Sequence, residues 1–353
     1  MTTAQTLLGP NYYALALQTE VQAINGCSSR DDARRVMNSN LKRLATEIAG
    51  SKKFIGPDTR LVVLPEYFLT AYPLGDSIAQ WADKACLDMD GAEYEALSRI
   101  AQDNDIFLAG NAYELDAHFP GLYFQTSFII APNGNVVLRY RRLNSMFAPT
   151  PHDVWDKYLD IYGLQGVFPV AKTEIGNLAA IASEEILYPE IARCLAVRGA
   201  EVFVHSTGEM GNVSHTPKNI CRAARAVENM AYVVSANSGS IIGHQLPASA
   251  TDGRSAILDY QGRVMVESGW GPTMTAHSQI DLNALRVHRR RPAMGNTLAR
   301  QRFEVFAQSY AELGSQKANA LLGQDGEITI PDRDHFIKTQ MRAIAQLVKN
   351  GVI

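Results

Sequence analysis

Cysteine is scarce in this 353-residue chain: Cys27, Cys86, Cys194 and Cys221 lie far apart and form no Cys-x-x-Cys pair. That spacing argues against a disulfide-built scaffold and against a structural zinc site. A dominant charge is lacking too. The formal net charge of −3 at pH 7 gives no general reason to expect nucleic acid or an anionic membrane as a partner. No uncharged apolar run approaches the ~20 residues needed to cross a bilayer. The start, Met1-Thr2-Thr3-Ala4-Gln5, has no basic region followed by an apolar one, so no signal peptide is expected. Internal repeats and low-complexity linkers are missing as well. What remains is 46% hydrophobic and 20% charged, which suits a soluble globular chain with a large core. The expectation is a cytoplasmic, enzyme-sized protein.

Hydrophobic patterning supplies the organisation. Residues 12–21 read as a first strand. Ser29, followed by Asp31 and Asp32, opens a helix in which Val36, Met37, Leu41, Leu44, Ala45 and Ile48 recur at helical spacing. Residues 61–64 form a short apolar strand running into Pro65-Glu66. A helix over 93–104 precedes a strand over 106–113. Residues 123–131 and 135–141 read as a hairpin turning at Asn133-Gly134. Further strands are expected over 178–182, 201–205, 231–237 and 275–280. Helices are expected over 189–199 and 217–230, and a second hairpin around Gln261-Gly262. Strands and helices alternate with hairpins inserted, so a mixed sheet is expected, in two layers of strands covered by helices.

From Arg286 the character changes: Arg286, Arg289, Arg290, Arg291, Arg300 and Arg302 are basic with no acid among them. A solvated or interface-bound arginine cluster is the favoured reading, and an anion or nucleic-acid site the weaker one. Helices over 303–313 and 334–348 complete this C-terminal extension. The chain divides as residues 1–285, one α/β domain, and residues 286–353, an Arg-rich extension expected at a subunit interface.

Chemistry is legible at strand ends. Leu61-Val62-Val63-Leu64-Pro65-Glu66-Tyr67-Phe68 delivers a glutamate from a buried strand into a loop of Tyr, Phe and Pro. Loss of solvent there favours the protonated carboxyl, as a general base working near neutral pH requires. Capping a helix or pairing with an arginine is the equally weighted plain role for Glu66. Leu178-Ala179-Ala180-Ile181-Ala182-Ser183-Glu184-Glu185 likewise ends a buried strand in polar residues, ahead of a helix opened by Pro189-Glu190.

These segments together resemble the nitrilase superfamily, the carbon–nitrogen hydrolases. Leu64-Pro65-Glu66-Tyr67 is similar to its first catalytic motif, Leu138-Arg139-Tyr140-Arg141-Arg142-Leu143 to its second and the Ser183 segment to its third, in family order and at family spacing. The likeness covers roughly residues 10–310. Pro149-Thr150-Pro151-His152-Asp153-Val154-Trp155 and Glu185 resemble the nitrilase branch, and residues 192–237 the aliphatic amidases. The resemblance implies a four-layer αββα sandwich, pairing of subunits, no metal or organic cofactor, and hydrolysis of a small amide or nitrile. It implies roles for Glu66 as general base, for position 142 as the cation at the tetrahedral intermediate and for position 183 as nucleophile. A second family glutamate would fall near Asp153. Tyr67, His152, Asp153, Glu185 and His205 join the expected pocket.

Two departures divide scaffold from chemistry. The family has lysine where this chain has Arg142, and cysteine where it has Ser183. An alcohol is far less acidic than a thiol and needs a well-placed partner. His205 reads as a hydrogen-bonded core residue before a catalytic one, and His152 as a loop residue shaping the pocket. Arginine keeps the charge but brings a planar fork and no proton shuttle. A cysteine-to-serine trap would account for Ser183 but not Arg142, so natural divergence is favoured. A hydrolase with a Glu/Arg/Ser site leads, and a catalytically silent ligand-binding or assembly-forming homologue is the alternative.

Overall fold

Runs such as Leu61-Val62-Val63-Leu64 and Val202-Phe203-Val204 are buried on both faces, and this sets the architecture. The computed structural model describes residues 9–211, 214–314 and 316–353. Its first half runs β1 (Asn11–Ala16), β2 (Glu20–Gln22), α1 (Arg30–Ile55), β3 (Thr59–Glu66), α2 (Ile78–Ala85), α3 (Ala92–Asp103), β4 (Phe107–Leu115), β5 (Tyr123–Ile130), β6 (Val136–Arg141) and α4 (Trp155–Val167). The second half runs β7 (Ala171–Thr173), β8 (Gly176–Ala182), α5 (Pro189–Ala196), β9 (Val202–Thr207), α6 (Pro217–Asn229), β10 (Tyr232–Asn237), β11 (Ser240–Ile242), β12 (Ala256–Leu258), β13 (Val264–Glu267) and β14 (His277–Asp281). The C-terminal part holds α7 (Leu282–Arg290), α8 (Thr297–Arg300), α9 (Phe303–Glu312) and α10 (Arg333–Lys349).

Two six-stranded mixed sheets result, ordered β14-β1-β3-β4-β5-β6 and β13-β12-β10-β9-β8-β7. The period-two alternation of a strand sorts side chains between the layers. Leu61 and Val63 of β3 join the core between the sheets, where β3 packs against β9 and β10. Val62 and Leu64 turn outward into a second core shared with Met37, Leu41, Leu44 and Ile48 of α1, which packs on β3, and with Tyr94, Leu97 and Ile100 of α3, which packs on β4 and β5. Helices α5 and α6 cover the second sheet, burying Ile191, Leu195 and Ala226 against it. This is the expected four-layer αββα sandwich. No helix among the described residues is long and apolar enough to cross a membrane.

Local signals fell where expected. Ser29 caps α1 by accepting the Asp32 N–H, and the Asn133-Gly134 turn closes with Gly134 at φ +85°. The strand expected over 12–21 is instead two. Gln18 pairs with Thr273 in an isolated bridge, and its side-chain amide donates to the Gly269 and Gly271 carbonyls, which pulls the chain out of the sheet. Four helices were not anticipated, α2, α4, α7 and α8. α2 carries a Ser77–Gln80 capping box, and in α4 the apolar residues spread around the axis and Gly163 breaks the run at φ +61°. The arginine cluster does structural work at its start. Arg286 pairs with Glu201 at 2.7 Å, and Arg289 donates to the Met230 and Ala200 carbonyls at 2.8 and 2.6 Å.

Because Ser29 supplies one of the orphan donors of the 26-residue α1 with its acceptor, Ser29→Ala should cost about 1 kcal/mol, read as a lower urea midpoint at unchanged slope. A midpoint equal to that of the parent would mean that the cap contributes nothing.

Candidate active site

Three strands end along one edge of the sandwich, and a residue at or just after each end lines a single cavity of about 400 Å³. Glu66 closes β3, where the β3–β4 register slips between Val63 and Glu66. Such an irregularity re-aims a side chain, here out of the strand's alternation and into the cavity. Arg142 follows the last residue of β6. Ser183 follows the last residue of β8 and holds φ +48°, a left-handed conformation costly for a residue with a Cβ. All three are at least nine-tenths buried and line the same space.

Glu66 and Arg142 are in direct contact, with Arg142 Nη1 3.3 Å from Glu66 Oε1. Gln125, on β5, bridges them: its Nε2 donates to Glu66 Oε1 at 2.6 Å and its Oε1 accepts from Arg142 Nη1 at 2.8 Å. Arg142 Nε donates to the Asn144 carbonyl at 2.6 Å, and Nη2 pairs with Glu184. Gly208 completes this corner, since a Cβ there would lie 2.9 Å from Glu66 Oε2. Tyr67 stacks on Tyr113, ring centres 4.6 Å apart, and with Tyr72, Tyr123, Met146, Phe147 and Met210 gives the cavity a largely apolar wall.

Two expected pocket residues sit behind the wall and hold it. Glu185 is fully buried and accepts from Tyr140 Oη at 2.6 Å and from the backbone N–H groups of Leu143 and Asn144 at 2.8 and 2.9 Å. Burial pushes its carboxyl above the usual range, against the pull of Arg142 and these donors. His205 is fully buried on β9. Burial, with Arg222 nearby, pulls its pKa down to about 3. As a neutral ring it donates from Nε2 to the Ser183 carbonyl at 2.8 Å and accepts at Nδ1 from Ser235 Oγ at 2.7 Å. It grips the Ser183 backbone, in keeping with its reading as a core histidine.

His152 and Asp153 lie away from the cavity lining. Asp153 accepts from the Thr150 N–H and hydroxyl at 2.8 and 2.9 Å, capping its own turn. The His152 and Asp153 carbonyls accept from Asn319 and Leu321, fastening the C-terminal extension.

Sequence reasoning passed over Gln125, Glu184 and Lys218. Gln125-Thr126-Ser127 is a polar run inside a buried apolar strand, a usable signal. Lys218 sits in the first turn of α6, where the helix dipole disfavours a cation. That misfit was its only mark. Among the described residues no group of three or more His, Cys, Asp or Glu is gathered to hold a metal ion.

The Carbon-nitrogen hydrolase family profile matches residues 29–290. The chain is similar to the omega-amidase NIT3 of Saccharomyces cerevisiae, 23% identical over 270 residues, spanning 76% of this chain and 89% of the relative. It is similar to the formamidase of Photorhabdus laumondii subsp. laumondii, 26% identical over 302 residues, spanning 84% and 83%. The crystal structure of Saccharomyces cerevisiae Nit3, described as a member of branch 10 of the nitrilase superfamily, superposes with a TM-score of 0.61 at 22% identity, covering 80% of this chain and 95% of that one. At that identity the superposition establishes the fold.

The depressed His205 pKa predicts acid sensitivity. The unfolded chain binds a proton at His205 below about pH 6.5 while the folded one does not, so stability falls as pH drops from there toward about 3. At about 1.4 kcal/mol per unit, His205 should account for about 2 kcal/mol lost between pH 6.5 and 5. Urea midpoints at both pH values should show that loss in the parent protein and its absence in a folded His205→Gln variant. Equal pH slopes would refute the assignment.

Proposed function

The chain belongs to the carbon–nitrogen hydrolase family, the nitrilase superfamily, and from that premise we propose that it hydrolyses a small amide with Glu66, Arg142 and Ser183. One observation carries the reading: three strands drawn from both sheets deliver these residues to one cavity, with Ser183 in a strained backbone conformation on its lining. Ser183 Oγ attacks the carbonyl carbon, its proton passes to Glu66, and the carbonyl electron pair moves onto oxygen. Collapse breaks the C–N bond as Glu66 returns the proton to the leaving nitrogen. Water then hydrolyses the serine ester by the same exchange. Tyr67 shapes the wall, Glu185 and His205 hold the backbone, and no metal or organic cofactor takes part. The names of the relatives, omega-amidase and formamidase, favour an amide over a nitrile.

A second reading has its own support. The Arg142 N–H groups already point at Asn144, Gln125, Glu66 and Glu184, which leaves little for a substrate oxygen. A catalytically silent, ligand-binding homologue would look like this.

We further propose a cytoplasmic homo-oligomer in which residues 1–285 form the hydrolase-like domain and residues 286–353 lie at the subunit interface. Exposed Ile220 and Val227 on α6, and Phe303, Val305, Phe306 and Tyr310 on α9, support it. Light scattering at micromolar concentration should report a dimer or larger species, and a monomer would count against the interface.

The decisive assay is ammonia release from a panel of small amides, with intact-mass detection of adducts. The parent protein should turn over slowly and Ser183→Ala not at all. Ser183→Cys should accumulate an acyl-enzyme. Adding Arg142→Lys should change the rate by a factor that does not multiply with the single effects, because the two groups act as a unit. If even the double variant forms no covalent adduct across a broad panel, the hydrolase reading is wrong and the silent homologue replaces it.

A further inference from the structure

A serine nucleophile sets a requirement of its own. When its oxygen adds to a carbonyl, negative charge develops beside the buried Oγ. A cation with a free N–H must stand within hydrogen-bonding reach. Arg142 is directed at four protein groups. Lys218 is not so engaged: its Nζ lies 3.3 Å from Ser183 Oγ and lines the same cavity.

The position of Lys218 is built. It lies in the first turn of α6, just after the N-cap Thr216, where the helix dipole opposes a positive charge. Glu209 offsets that cost, with Oε2 2.6 Å from Lys218 Nζ, and the two side chains are only 16% and 15% exposed respectively. Glu209 is fixed in turn by the end of β10. Its N–H donates to Asn237 Oδ1 at 3.0 Å, and its carbonyl accepts from Asn237 Nδ2 at 3.2 Å and from the Asp252 N–H at 2.9 Å. An ammonium carries three N–H donors. One meets Glu209 and one meets Ser183, which among the described residues leaves a third for the cavity.

We propose that Lys218 is a catalytic residue, the cation that stabilises the anionic oxygen of the tetrahedral adduct on Ser183. This rests on Ser183 being the nucleophile. As the Oγ–C bond forms, the carbonyl electron pair moves to oxygen and comes to rest against the Lys218 ammonium, while the Oγ proton goes to Glu66. Lys218 keeps its own protons throughout. Glu209 is a positioning residue that aims it.

Phenylboronic acid tests this without knowledge of the substrate, because Ser183 Oγ can add to its trigonal boron to give a tetrahedral anion of the same shape. Boron-11 NMR reads the adduct and calorimetry its affinity, with benzamide as the ground-state comparison. The parent protein should form the tetrahedral adduct and Ser183→Ala should not. Lys218→Met and Lys218→Gln should each weaken boronate binding about 100-fold, with benzamide affinity changed less than about threefold, and Lys218→Arg should stay within about tenfold of the parent. Two neutral variants are used so that either one, shown to melt cooperatively, suffices. Unchanged boronate affinity in a folded neutral variant, with Ser183→Ala still inactive, overturns the role of Lys218 and leaves Ser183 as nucleophile. No adduct in the parent protein overturns both.

Discussion

One buried carboxylate joins the two sheets at the point where the site is assembled. Glu185 belongs to the turn that follows β8, yet its acceptors are filled from the other sheet, by Tyr140 of β6 and by the backbone of Leu143 and Asn144. A charge with no exposure is tolerated only when its lone pairs are satisfied, and an isolated one would cost several kcal/mol. The demand works in both directions. Satisfying Glu185 requires the segment after β6 to fold back toward β8, and that fold-back places Arg142 opposite Glu66 and Ser183 at the rim. The packed sheets bring the strand ends near one another, and this carboxylate sets how they meet.

Around Glu66 and Ser183 the charges form two separate arrays. On one side Arg142 joins Glu66 and Glu184 through Gln125, and every charged group has an opposite neighbour. On the other, Lys218 and Glu209 form a simpler pair that touches Ser183. The first array is saturated and therefore rigid, which suits holding a carboxylate in place. The second keeps a donor in reserve, which suits meeting charge that appears only during reaction. Hydrogen-bond capacity, more than net charge, separates the two cations.

Much of this was legible in the sequence. Two strand ends were marked by apolar runs that stop at a polar residue, at Glu66 and Ser183, whereas Arg142 follows a mixed Leu138-Arg139-Tyr140-Arg141 stretch and was marked only by the resemblance to the second family motif. The Ser29 cap and the Asn133-Gly134 turn are local signals, and local physics suffices for them. Lys218 is different in kind. Its partner Glu209 stands nine residues earlier in a segment with no periodic pattern, and its contact with Ser183 spans 35 residues. Only tertiary packing makes that lysine anything but a solvated charge. Asp153 fails for the converse reason. The Thr150-x-x-Asp153 spacing is also a capping pattern, and the local hydrogen bonds claim the carboxylate.

The serine itself is placed by forces indifferent to its side chain. β8 pairs in register with β9 up to Ala182 and Ser206, His205 takes the Ser183 carbonyl, and Glu185 secures the turn beyond. Each contact is made by backbone or by a neighbour. Position 183 would therefore present a thiol to the cavity as readily as a hydroxyl, and the φ of +48° is imposed from outside. Exchange of the nucleophile thus leaves the scaffold unchanged and transfers the whole difficulty to the groups that meet the oxygen. An alkoxide is harder to form than a thiolate, so the weaker nucleophile raises the value of every cation near it. The arrangement answers that need with Lys218, a lysine out of place on its own helix and in hydrogen-bonding reach of the serine.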